Sequence, residues 1–348
     1  MTTAARAVEF AQKHRLPGLV LGVIDADGLR EIVEYGMADL DAGAPADRST
    51  LFRIASVTKT FTATAVLQLR DAGRLSIDDR VVDHVPEFAK VGGLDGGAAR
   101  VTLRQLLQHS SGLQGEAPSL DLLAQPVHTS PQILDVLSRA RILTTPGTMF
   151  RYSNLGFRVL AHVVHRASGQ RWAQYAPEHL LAPLGMRESG AHPPHPERCA
   201  VGHHPSRFQD RPTAAASVDS ALAEGDGDLW SSLDDLALWV SAQLAAAVGH
   251  DSAVLSASTM REMQQPTLLA AGDWSEARGL GWNGVRRTHG PLVSHGGLFA
   301  GFNSQVCFSP EHQVGVVALA NSVPQGSIGE LAFDVIDEII GGRPRAAA

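Results

Sequence analysis

Ser56 and Lys59 stand three positions apart in Ile54-Ala55-Ser56-Val57-Thr58-Lys59-Thr60-Phe61, at the head of an apolar run with helical spacing. One helical turn separates them, so hydroxyl and ammonium share a face. Walled by Phe61, Ala63, Ala65 and Val66, the lysine loses hydration, which disfavours its charged form and suits it to act as a base. At the helix start, Ser56 lies among unpaired backbone N–H groups and the positive end of the dipole. Both favour developing negative charge and make Ser56 a candidate nucleophile. An N-capping serine followed by a snorkelling lysine has the same spacing, so the pair gains weight only from its context.

Two further stretches supply that context. Tyr152 and Asn154 follow Pro146-Gly147 and stand two residues apart just before a predicted helix. A phenol near an ammonium has its anion stabilised, so Tyr152 can share the role of base with Lys59. Asn154 reads as the N-cap of that helix and can also present its amide to a substrate. Near the end, Ser294-His295-Gly296-Gly297-Leu298 sits on a predicted strand. Its two glycines let a substrate carbonyl approach the backbone closely, as an oxyanion hole requires.

In this order the three stretches resemble those of the serine β-lactamase and penicillin-binding protein superfamily. The branch is that of class C β-lactamases, D-alanyl-D-alanine carboxypeptidases, D-aminopeptidases and β-lactamase-like esterases. Leu106-Leu107-Gln108-His109-Ser110-Ser111-Gly112-Leu113, Leu229-Trp230-Ser231-Ser232 and Gly315 to Asn321 agree as well, so the resemblance runs from about Pro17 to Ile340. It implies that Ser56 is acylated, that Lys59 is its proton partner, and that Tyr152 is the general base. It further implies that Asn154 positions the substrate, while the backbone N–H groups of Ser56 and Leu298 form the oxyanion hole beside His295, Gly296 and Gly297. Two departures stand out. His295 replaces the lysine common in the third motif, giving a weaker and pH-dependent partner for a substrate carboxylate. Gly225-Asp226-Gly227-Asp228-Leu229 replaces Ala-Gly-Gly-Leu, and its acids read as surface-turn residues, or as rim groups that favour amine-bearing substrates.

The elements that must hold these residues follow from pattern. Residues 3–14 form a short amphipathic helix, and Leu19 to Ile24 pairs with Arg30 to Tyr35 as a hairpin. Thr58 to Ala72 is a helix closed by Gly73, and Thr102 caps another. Helices are expected over 130–140, 154–168, 171–181, 232–248, 256–264 and 327–340. Strands are expected over 279–283, 293–296, 302–308 and 314–320. Strands at both ends and helices between imply an α/β (α+β), β-lactamase-like fold. Its antiparallel sheet, flanked by helices, is built from residues 1–78 and 270–348, a mainly helical domain spans 79–269, and the site lies in the cleft between them.

The 348 residues are 44% hydrophobic and 19% charged, with a formal charge of −7. This composition fits a globular chain and gives no basic footprint for nucleic acid. No signal-like h-region opens the sequence and no apolar run reaches about 18 residues, so a cytoplasmic location off the membrane is expected. Cys199 and Cys307 read as free thiols. His192, His195, His203 and His204 lie in an irregular stretch over 191–217, but without a completing ligand spacing they carry no metal assignment. No cofactor is expected, and the oligomeric state is left open. The expected reaction is acyl transfer through Ser56 on small carboxylic esters. Esters lead because alkoxide leaves more readily than amine. D-amino-acid peptides or amides and β-lactams are the alternatives. A non-catalytic binding module is disfavoured by intact Ser56, Lys59 and Tyr152.

Overall fold

The computed structural model describes residues 1–116, 134, 136–206, 211–216, 224–323 and 327–342. Most of the helix expected over 130–140 lies outside them. Nine strands form one sheet: β1 Gly18–Asp25, β2 Gly28–Asp39, β3 Ala44–Pro45, β4 Leu268–Leu269, β5 Glu276–Arg278, β6 Asn283–Arg287, β7 Gly290–Phe299, β8 Phe302–Ser309 and β9 Val314–Ala320. Their spatial order is β4-β5-β6-β7-β8-β9-β1-β2-β3, antiparallel at each step. Strands from the two ends of the sequence meet inside it, where Leu19 of β1 faces Ala320 of β9 and Val23 faces Val316.

The unbroken apolar run of β1 follows from burial on both faces. Leu19, Leu21 and Val23 join Val316 and Ala318 under helices α1 (Thr3–Lys13) and Ile328–Gly342. Val20 and Ile24 face the opposite way, into a larger core shared with α2 (Thr58–Asp71). Helix Leu233–Ala247, expected within the helical insert, packs on β1, β2, β8 and β9. It comes close because Gly22 has no side chain; a Cβ there would stand 2.6 Å from Leu233.

Helix α2 is buried on nearly every side, including Thr58, Thr60, Thr62 and Thr64. Such a helix must satisfy its polar groups locally or across the core. Thr60 and Thr64 donate back to the carbonyls of Val57 and Thr60, and Thr62 donates to Gly225. Phe61 stacks on Trp239, 4.5 Å away, and the Trp239 indole donates to Thr60, so helix 233–247 is locked to α2. The strand expected over 279–283 begins only at Asn283. Gly281 takes a left-handed φ of 78° and lies against α2, where a Cβ would meet that of Ala63 at 2.5 Å, so the segment turns instead of extending. No described helix is long and apolar enough to cross a membrane.

Candidate active site

Ser56 is the middle residue of a 3₁₀ turn, Ala55–Val57, that leads directly into α2. Ala55 before it has φ 46°, an uncommon conformation for a residue with a Cβ. Three contacts from distant segments hold that turn. Ile54 N–H donates to the Leu229 carbonyl at 3.0 Å, Ser304 Oγ donates to the Ile54 carbonyl at 2.7 Å, and β7 crosses directly above. The crossing depends on Gly297: a Cβ there would stand 2.2 Å from the Ile54 carbonyl and 2.4 Å from Ser304 Oγ. Glycine thus brings the backbone of Leu298, whose side chain is exposed, beside the serine turn.

Lys59, one turn on, has no exposed surface. Its Nζ donates to Ser56 Oγ at 3.1 Å and to the Asp226 carbonyl at 2.6 Å. The ammonium also lies 5.2 Å from the Tyr152 ring and 5.7 Å from the Phe157 ring. Ser56, Lys59 and Tyr152 are therefore brought together, with the Lys59–Tyr152 contact running through the ring face. Tyr152 is partly exposed and stacks on His109 at 4.3 Å.

His109 is the part of the Leu-Leu-x-His element whose job the sequence does not reveal. It is buried with φ 55°, its Nδ1 accepts from Ser153 N–H at 3.1 Å, and its carbonyl accepts from Arg151 N–H at 2.6 Å. His109 thus holds the loop on both sides of Tyr152, Ser153 through its ring and Arg151 through its main-chain carbonyl. Burial, with the charges of Lys59 and Arg278 adding to it, keeps that ring well below the ordinary imidazole range. A neutral ring is what the accepting Nδ1 requires.

Asn154 differs from expectation. The N-cap of helix Asn154–Ser168 is Ser153, whose Oγ accepts from Gly156 N–H at 3.0 Å, so Asn154 is the first helical residue. A hydroxyl spans cap to third residue as readily as an amide, and sequence order alone does not choose between adjacent cap formers. Freed from capping, Asn154 donates its amide to Glu116, and its buried Oδ1 is left without a partner.

Asp226 and Asp228 also differ. Read as surface-turn or rim acids, they are buried, at 3% and 1% exposure. Long-range partners explain this. Asp226 takes the Arg158 guanidinium in two bonds, Nε to Oδ1 at 3.1 Å and Nη2 to Oδ2 at 3.3 Å. Asp228 accepts from the Trp172 indole at 2.9 Å and from Gly225 N–H at 3.0 Å. Burial nevertheless pushes its carboxyl up to about 8.

His295 lies on β7, buried, with Nδ1 2.8 Å from the Gly296 carbonyl. Burial pushes it down to about 3, and the charges of Lys59 and Arg278 act in the same direction. The pH-dependent partner expected from sequence is thus a neutral imidazole across the working range. His203 is buried against the Asn321 carbonyl and His195 faces Glu188 and Glu197 at the surface, so these histidines are not gathered around one point.

Known proteins carry the same frame. Esterase EstB of Burkholderia gladioli is 35% identical over 232 residues, which cover 62% of this chain and 57% of that protein. Protein flp of Staphylococcus aureus strain MW2 is 26% identical over 323 residues, covering 89% of this chain and 60% of that protein. The chain thus spans under two thirds of the length of these curated relatives. The octameric penicillin-binding protein homologue from Pyrococcus abyssi superposes with a TM-score of 0.83 at 24% identity, over 97% of this chain and 77% of that one. Residues 3–339 match the Beta-lactamase family, and the chain belongs to it.

Proposed function

We propose that the chain is a serine hydrolase that works through an acyl-enzyme on Ser56, with small carboxylic esters as its first substrates. The observation that carries this reading is the 3.1 Å contact between Ser56 Oγ and the wholly buried Lys59 Nζ, under a glycine-dependent strand crossing. In the reaction Ser56 Oγ attacks the ester carbonyl while its proton passes to the Lys59–Tyr152 pair. The backbone N–H groups of Ser56 and Leu298 receive the oxyanion. The proton returns to the departing alkoxide, and water then repeats the sequence on the acyl-enzyme. Esters lead because His295 supplies no fixed cation for a β-lactam carboxylate, and the resemblance to an esterase over 232 residues points the same way.

One observation favours a second reading, hydrolysis of D-amino-acid amides. Glu116, half exposed, stands against the Asn154 amide, where a substrate ammonium would find a carboxylate. Both readings are tested by one purified sample against p-nitrophenyl esters, nitrocefin and D-amino-acid p-nitroanilides. Intact-mass spectrometry after a fluorophosphonate should show one added group on Ser56. Labelling of Ser56→Ala to the same extent sinks the assignment. Anilide turnover above ester turnover, lost in Glu116→Gln, moves the reading to the amidase.

A further inference from the structure

We propose that Asp226 and Arg158 are positioning residues for Lys59, a buried ion pair whose opposed charges set how readily the lysine takes the Ser56 proton. This rests on the reading of Ser56 as nucleophile and Lys59 as its proton acceptor. The geometry is specific. The Asp226 main-chain carbonyl holds Nζ at 2.6 Å, and the carboxylate of the same residue stands 3.9 Å from it. Both carboxylate oxygens are engaged by Arg158, itself 3% exposed, and Arg158 Nη2 reaches Glu116 at 3.3 Å. Glu116 in turn accepts from Asn154. The chain of contacts runs Lys59, Asp226, Arg158, Glu116, Asn154, and begins and ends on groups assigned to the site.

Burying a carboxylate and a guanidinium is costly unless each is paired. A purely structural strut has no need to end on the catalytic lysine. The carboxylate favours a protonated Lys59 and the guanidinium disfavours it. The other groups around the ammonium contribute less charge. His109 and His295 are held neutral by burial, and Tyr152 presents its ring. Asp228 keeps its proton up to about pH 8, Glu116 faces Arg158, and Arg278 acts on both histidines from β5.

The two partners should therefore move the pH profile in opposite directions. Asp226→Asn keeps the main-chain carbonyl that holds Nζ and removes only charge, leaving Arg158 uncompensated. The acid limb of kcat/KM for p-nitrophenyl acetate should move to lower pH by roughly one unit. Arg158→Met leaves the carboxylate uncompensated, and the limb should move higher by a similar amount. The double variant should return toward the wild-type midpoint, and Arg158→Lys should keep it. Fluorophosphonate labelling of Ser56, followed from pH 5 to 9, reads the same limb without turnover. Thermal melts report folding separately, and if Arg158→Met does not fold, Asp226→Asn against Arg158→Lys decides. Midpoints that stay put while amplitude or Tm falls, or two single variants that move the same way, overturn the inference with Ser56 still labelled. A wild type that leaves Ser56 unlabelled overturns the hydrolase reading beneath it.

Discussion

The fully buried Lys59 Nζ lies within hydrogen-bond distance of Ser56 Oγ and of the Asp226 carbonyl, with aromatic faces around the rest. This arrangement was legible in part. Serine–lysine spacing and the apolar wall stand in the sequence, because neighbours one turn apart on a helix are fixed by the helix itself. Asp226, 167 residues away from Lys59, carries no local mark, and the same holds for Glu116 beside Asn154. Pairings of this kind are set by how distant segments pack. His295 allows a sharp expectation at this scale. A neutral imidazole forfeits the charge-assisted bond that an ammonium makes to a β-lactam carboxylate, on the order of 1.5–3 kcal/mol, or roughly 10- to 150-fold. Because burial holds the ring at about 3, this loss should be the same from pH 5 to 8. His295→Lys should improve kcat/KM for nitrocefin over that for p-nitrophenyl butyrate within this range. An unchanged ratio, or wild-type nitrocefin turnover equal to ester turnover, is the outcome that defeats the argument.

The strand β7 and the turn at Ser56 work as one unit, since neither reaches its position without the other. Gly297→Ala sets a Cβ against the Ile54 carbonyl and Ser304 Oγ, and β7 must withdraw from the serine turn to accommodate it. Overpacking of this sort costs about 1–3 kcal/mol of stability. Withdrawing one oxyanion donor costs about 10²–10³ in kcat. Steady-state ester kinetics beside a thermal melt should show both losses together; a wild-type kcat at lowered Tm would detach Leu298 from the oxyanion role. The pairing of the two chain ends in one sheet was readable, because short apolar, β-branched runs bounded by turns occur near both termini. Helix 154–168 was readable to the residue, yet its cap was assigned one position late, to Asn154 instead of Ser153. The turn at 279–282 was misread as strand because Gly281 serves packing on α2 and Trp282 packs on Trp239 and Phe308, demands invisible to local pattern.

Over the whole molecule, buried titratable groups should give stability a maximum near neutral pH. Burial lowers His14, His109, His162, His203 and His295, the third to about 4 and the last to about 3. The unfolded chain protonates its imidazoles near pH 6.5 while the native state resists, so the unfolded state binds more protons below that value. Stability is therefore lost as pH falls from about 6.5, by about 2 kcal/mol at pH 5 for each ring that stays neutral. Glu224, Asp228 and Asp235 are raised by burial and act in the opposite sense, trimming that acid slope. Above pH 6.5 the histidine contribution is level and Asp228, at about 8, dominates. The native state keeps its proton while the unfolded carboxyl, ionised above about pH 3.9, has lost it, so stability declines with rising pH until about 8. Carboxylates lowered by local donors, such as Asp39 and Asp78, matter only below about pH 4. Thermal melts from pH 4 to 9 should place the Tm maximum between about 6 and 7. Asp228→Asn should flatten the alkaline side and steepen the acid side that the carboxyl trims, whatever its offset at pH 6, and His295→Gln should flatten part of the acid side. A wild-type Tm that keeps rising through pH 8, or an alkaline slope untouched in Asp228→Asn, would show that the buried carboxyl is already ionised and held by Trp172 and Gly225.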